Sequence, residues 1–263
     1  MMTTAQVAVA GILEPAYRVG GDSFDYALND DALHLAIIDA MGHGLDAAVM
    51  ATVAVAAYRH ARRAEADLPG LYAQMDAAIA EQFDADHFVT AQLAQLDAAS
   101  GHLRWVNAGH PRPPLWRPGQ AVRALRSPTT LPAGIGGGTP AVGQERLQRG
   151  DRVLFYTDGI IEERLPGGEQ FGARRLLEQF TQAEQAGGPV QQTVRRLSHT
   201  LLQERGGTSS DDATLFLLQW RGGDTSHLAA LEQPAGRSEQ SRASAVGAAG
   251  TPAGSVQTID RAS

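Results

Sequence analysis

Aspartates recur in this chain at the ends of apolar runs, beside glycine, alanine or serine. Asp22 follows Gly20 and Gly21 and opens "DSFDYAL". Asp39 closes the run that begins at Leu33 and is followed by Ala40, Gly42 and Gly44. Asp158 closes "DRVLFYTD" and precedes Gly159. Asp211, with Asp212 beside it, follows Ser209 and Ser210 and opens "ATLFLLQW". Carboxylates fixed at strand ends among small neighbours suit a hard divalent cation, because Mg2+ and Mn2+ favour oxygen ligands in octahedral geometry and keep several waters. A small residue after an aspartate lets a backbone carbonyl turn inward as a further ligand, a role open to Ala40. Three or four carboxylates exceed the charge of one divalent ion, so two ions fit the set. Each aspartate alone also reads as ordinary turn chemistry, and periodicity by itself does not bring residues 22, 39, 158 and 211 together.

The elements that must position them follow from the pattern. "VAVAGILEP" (7–15) is rich in β-branched residues and stops at Pro15, as a strand would. Runs 23–28 and 32–39 flank Asn29-Asp30-Asp31, a turn signal, and predict a hairpin. The Ala-rich stretch 45–66 predicts a buried helix whose basic end sits at the favourable pole. Residues 68–83 predict a second helix. Strands are expected over 88–97, 102–109 and 151–158, with two short ones within 113–125. Amphipathic helices are expected over 169–184 and 189–206, and a last strand over 212–220. Strands, a helix pair, many strands, a helix pair and one strand do not alternate as parallel βαβ units do. An α+β fold fits the order: two antiparallel sheets packed face to face, with helix pairs outside.

Composition narrows the function. The chain has 263 residues, 43% of them hydrophobic and 19% charged, the range of a globular protein with a sizeable core. A net charge of −7 argues against a nucleic-acid binder with a broad basic surface. Without cysteine, disulfides and Cys-ligated zinc are excluded, in keeping with a cytoplasmic location. No apolar run approaches the roughly 18–20 residues of a membrane span, and the N-terminus lacks a signal-peptide pattern. From residue 221 the chain is rich in Gly, Ala, Ser, Pro and Gln and lacks aromatics. Residues 221–263 are therefore expected to be a disordered low-complexity tail, and residues 1–220 the folded domain.

"VGGDSFDY", "IIDAMGHGLDAA", "FVTAQLAQLDAASGHLRWVNAGHPRPPL", "GDRVLFYTDGIIEERLPGGEQFG" and "SDDATLFLL" occur in that order. Together they resemble the successive motifs of the SpoIIE/RsbU-type protein serine phosphatases, the bacterial branch of the PPM (protein phosphatase 2C-like) family. The resemblance covers about residues 17–220. It implies a four-layer αββα sandwich with two divalent cations, Mn2+ or Mg2+, at one end of the sheets. It implies that Asp39 bridges the two ions, that the Ala40 carbonyl completes the shell of one, that Asp158 and Asp211 hold the other, and that Asp22 ligates directly or through water. Asp212 ranks behind Asp211.

The implied activity is hydrolysis of phosphoserine or phosphothreonine by a metal-activated water. The implied substrate is a phosphorylated STAS-domain anti-anti-sigma factor in partner-switching signalling. The alternative is a non-catalytic module that sequesters a phosphorylated partner. Arg18 is a candidate phosphate contact, with a solvated arginine as the plainer reading. Asn107 and His110, in "NAGH", are expected to brace the site. His43 reads as a proton donor or a bystander, and His87 as a surface-loop residue. In relatives the first helix pair carries signals from an upstream sensor; here about 16 residues precede the match. Regulation is therefore expected from a partner, a homodimer or metal supply.

Overall fold

The computed structural model describes residues 1–137, 139–205 and 211–222. In chain order these form β1 (Met2–Thr3), β2 (Val7–Glu14), β3 (Asp22–Asn29), β4 (Ala32–Ala40), α1 (Leu45–Arg63), α2 (Leu68–Gln82), β5 (Val89–Asp97) and β6 (His102–Ala108). There follow β7 (Pro114–Trp116), β8 (Arg123–Ala124), β9 (Val142–Arg146), β10 (Arg152–Tyr156), a one-turn 3-10 helix (Asp158–Ile160), α3 (Gly172–Gln185), α4 (Val190–Arg205) and β11 (Ala213–Trp220). The expected tail lies, from residue 223 on, outside the described residues.

The strands form two sheets, ordered β1-β2-β11-β10-β7-β8 and β3-β4-β5-β6-β9. Every named neighbour pair is antiparallel. Side chains alternate across a strand, and that alternation divides the core into three layers. Val7 and Val9 of β2, Leu33, Leu35 and Ile37 of β4, and Phe155 and Phe216 fill the space between the sheets. Ala36, Ile38 and Ala40 of β4 turn the other way, onto α1 and α2. Ala8 and Ala10 of β2 and Leu215 and Leu217 of β11 turn onto α3 and α4. The result is the expected four-layer αββα sandwich.

Local chemistry explains the elements. In α1, Ala47, Met50, Ala51, Ala54, Tyr58 and Ala61 are buried at helical spacing, and the alanines bring the helix close to its sheet. Asp67 caps α2 by accepting the Gly70 N–H at 2.9 Å. Asp30 takes a left-handed φ of 49° in the turn between β3 and β4. A Cβ on Gly11 would stand 2.8 Å from Phe24 and 2.9 Å from Phe216, so glycine there makes room for two rings between the sheets.

Two strands escape the sequence pattern. β1 spans two residues, and β9 buries only Gly143 on its sheet edge. Helix α1 stops at Arg63 and α3 starts at Gly172, each shorter than the pattern suggests. The run ending in Asp158 is split: β10 stops at Tyr156 and Asp158 opens the 3-10 turn.

Candidate metal centre

Asp22 and Asp39 are direct cross-strand partners on β3 and β4. Both follow the alternation of the inter-sheet residues, Asp22 with Phe24 and Asp39 with Ile37, and so sit at one end of the space between the sheets. Like charges placed opposite each other repel. Burial pushes the Asp39 carboxyl up to about 9, helped by the charges of Asp22, Asp158 and Asp211 and by a hydrogen bond with Asp158. Burial likewise pushes Asp22 up to about 7, against the pull of two hydroxyl donors and with the charges of Asp212 and Asp211 adding to the rise. Asp211 is raised by burial and by Asp158, Asp212 and Glu163, with the Asp212 N–H at 2.8 Å opposing. Residues 22, 39, 158 and 211 are thus one electrostatic group drawn from both sheets.

None of the ion pairs among the described residues involves Asp22, Asp39 or Asp158. Among the same residues, no three acidic or histidine side chains are already gathered closely enough to hold an ion. The donor set is all oxygen and acidic, which fits Mg2+ or Mn2+.

Asp212 has a different task from Asp211. Its carboxylate accepts the backbone N–H of Ala16 at 2.8 Å, of Gly21 at 2.6 Å and, more weakly, of Asp22 at 3.4 Å. It ties the start of β11 to the loop that delivers Asp22. The glycines beside the aspartates serve this packing. A Cβ on Gly20 would stand 2.2 Å from Asp212 Oδ2, and one on Gly159 would stand 2.0 Å from the Asp212 carbonyl oxygen. A Cβ on Gly21 would stand 2.8 Å from the Ala40 carbonyl oxygen, which therefore lies on the β3 side of its strand end.

Two residues that the motifs did not single out touch the site. Thr157 and Thr214 each donate a hydroxyl to Asp22 Oδ2 at 2.7 Å. Their signal in the sequence is the two-residue period: Thr157 follows Val153 and Phe155, and Thr214 precedes Phe216 and Leu218, all on the inter-sheet side.

Asn107 and His110 form a closed brace. Asn107 Nδ2 donates to the His110 carbonyl, and the His110 N–H donates to Asn107 Oδ1, both at 2.8 Å. His110 Nδ1 lies 2.9 Å from the hydroxyl of Thr90, which is the β5 partner of Asp39. Burial lowers the His110 pKa to about 3, so the ring is neutral and acts as packing and hydrogen bonding rather than charge. Arg18 is exposed in the loop before Asp22, with no ion-pair partner among the described residues. His43 is exposed and stacks on Tyr17 with ring centroids 5.2 Å apart. His87 sits on the surface beside Asp86, 3.1 Å away. An open groove of about 460 Å³, lined in part by His110, Arg112, Tyr156 and Leu177, borders Asp158. No helix among the described residues is long and apolar enough to cross a membrane.

Comparison with known proteins gives the architecture a family. The family model for stage II sporulation protein E (SpoIIE) matches residues 29–221. The phosphoserine phosphatase RsbP of Bacillus subtilis (strain 168) is 25% identical over 163 residues, which cover 60% of this chain and 40% of RsbP. The solved RsbU and RsbW domains of Rv1364c from Mycobacterium tuberculosis are 27% identical with a TM-score of 0.75, over 83% of this chain and 61% of that one. The catalytic domain of the serine/threonine protein phosphatase PstP, solved with two manganese ions, shares the fold at a TM-score of 0.58 and 20% identity, over 81% of this chain and 98% of that one. The chain spans less than half of the RsbP it matches. With the family model covering most of its length and the αββα sandwich in place, the chain belongs to the SpoIIE/RsbU-type branch of the PPM phosphatase family.

Proposed function

We propose that the chain is a metal-dependent protein serine/threonine phosphatase, with Asp22, Asp39, the Ala40 carbonyl, Asp158 and Asp211 holding two divalent cations, Mn2+ or Mg2+. The observation that carries this reading is the group of mutually repelling carboxylates at one end of the sandwich, two of them pushed up to about 7 and about 9. Burying like charges together is costly unless a cation joins them. Divalent cations there would screen the oxygens of a phosphate monoester and lower the pKa of water toward about 7.

The chain's own residues set the frame. Asp39 and Asp22 present carboxylates from rigid strand ends. Asp212 fixes the loop that leads into Asp22. The Asn107–His110 brace supports Thr90 beside Asp39. With no cysteine in the sequence, a thiol nucleophile is excluded. Arg18, exposed beside the site, is the proposed phosphate contact.

The substrate we assign is a phosphoserine-bearing protein, in keeping with the name that RsbP carries, and by family analogy a phosphorylated STAS-domain anti-anti-sigma factor in the cytoplasm. Exposed apolar side chains on the segments around the site support a protein surface over a small metabolite. Tyr17 and Val19 precede Asp22, and Met41, Leu45 and Val49 follow Asp39. The two segments touch, Tyr17 against His43 and Gly21 against Ala47.

The test is phosphate release from a phosphoserine STAS protein and from an aryl phosphate, with Mn2+, Mg2+ or EDTA. Metal-dependent turnover of both, faster on the protein, is expected. Tight binding of the phosphoprotein without turnover under any metal would replace the enzyme by a sequestering module.

A further inference from the structure

We infer that Thr157 and Thr214 are positioning residues that present Asp22 to a divalent cation. The inference rests on the metal reading above and assigns two residues that the metal set leaves out. Both hydroxyls donate to the same oxygen, Asp22 Oδ2, each at 2.7 Å. The Thr157 oxygen also accepts the Thr214 N–H at 2.9 Å, so its one hydrogen is committed to the carboxylate. The backbone locks the pair further, with the Thr157 N–H donating to the Thr214 carbonyl at 3.2 Å.

The two threonines belong to one sheet region and Asp22 to the other sheet. The three residues therefore pin the sheets together where the carboxylates gather. Thr214 is fully buried and Thr157 nearly so, at 0% and 1% exposed, so water does not compete for these bonds. With Oδ2 occupied twice, Oδ1 takes neither hydroxyl and is the oxygen left for a cation. Hydrogen bonds of this kind, one step behind a ligand, fix its rotamer, and their loss typically costs about 10–100-fold in metal affinity.

The experiment is calorimetric titration of Mn2+ into the full chain and into Thr157→Val, Thr214→Val and the two Thr→Ser variants. Each valine variant is expected to weaken Mn2+ binding by about 10–100-fold. Each serine variant, which keeps the hydroxyl, is expected to stay within about threefold of the parent. In an Asp22→Ala background the valine substitutions should cost nothing further in affinity, because the oriented group is gone. In turnover assays the Mn2+ concentration for half-maximal activity rises while the rate at saturating Mn2+ is kept.

Threonines that only fill the core would lower the melting temperature and leave Mn2+ affinity unchanged, and that result overturns the inference. Should a valine variant fail to fold by circular dichroism, alanine at the same position takes its place with the same expected loss. A parent chain that takes up no Mn2+ would overturn the metal reading and this inference with it. A parent that binds Mn2+ no better than folded valine variants would overturn this inference alone.

Discussion

Two groups of aspartates in the sandwich are treated in opposite ways. Asp151, whose side chain is 0% exposed, meets Arg117 through Nε at 2.9 Å and Nη2 at 2.6 Å and also accepts the Gln148 N–H at 2.8 Å. Asp22 and Asp39 are placed opposite each other, with Asp158 and Asp211 close by and, among the described residues, no arginine in an ion pair with either. The first arrangement is complete within the chain. The second, in the metal reading proposed above, is completed by divalent cations from outside the chain. A buried carboxylate with a guanidinium is a structural device; the gathered carboxylates at the end of the sandwich are the basis of the metal centre proposed above.

Breaking the second arrangement should have the largest effect. Asp39→Asn is expected to lower turnover on the order of 10³-fold, comparable to removal of a strong electrostatic contact. The same substitution should raise the melting temperature of the metal-free protein at pH 8, because asparagine is neutral without the cost of keeping a proton on a carboxyl whose unfolded pKa is near 4. Near-parental turnover, or a lower melting point in EDTA, would contradict the assignment.

Breaking the first should do the reverse. Asp151→Ala leaves Arg117 without its buried partner and is expected to cost about 3–5 kcal/mol in urea unfolding. Turnover per folded molecule should not change. A well-folded, inactive Asp151→Ala would place Asp151 in the chemistry and erase the contrast.

The pH dependence is a smaller and finer test. Folded Asp22 and Asp39 hold protons more tightly than the unfolded chain, whose aspartates titrate near 4. Their stabilisation is therefore complete below about pH 4 and is lost as pH rises through about 7 and about 9. In EDTA the melting temperature should fall between pH 6 and pH 9, and Mn2+ should recover most of the loss at the alkaline end. A metal-free melting temperature that is flat or rising over this range would remove the like-charge argument.

The fold was largely legible because its signals are local. Alternation in "ALHLAIID" set both the strand and its two faces, and the spacing of Ala47, Met50, Ala54 and Tyr58 set the helix. β9 was not legible, because an edge strand that buries only Gly143 carries no alternation. The pairing of Asp22 with Asp39 was not legible: the expected turn over Asn29-Asp30-Asp31 sets a register one residue away, whereas Asn29 joins β3 and pairs with Ala32 across a two-residue turn. Nor was the approach of Asp158 and Asp211, because it depends on how the second sheet lies over the first. The different tasks of Asp211 and Asp212 depend on where each side chain turns at the end of β11, which adjacent identical residues do not reveal. Thr157 and Thr214 had a signal, the inter-sheet period, but only the structure shows what their hydroxyls meet.

The most direct measurement is Mn2+ titration calorimetry at pH 6.5, repeated in buffers of different ionisation enthalpy, on the full chain and on Asp39→Asn. Carboxylates that hold protons for want of a cation must release them when one arrives. Expected are Mn2+ uptake with proton release by the full chain and a marked loss of both in Asp39→Asn. No Mn2+ uptake by the folded chain, or uptake that Asp39→Asn leaves unchanged, would contradict a metal centre at this end of the sandwich.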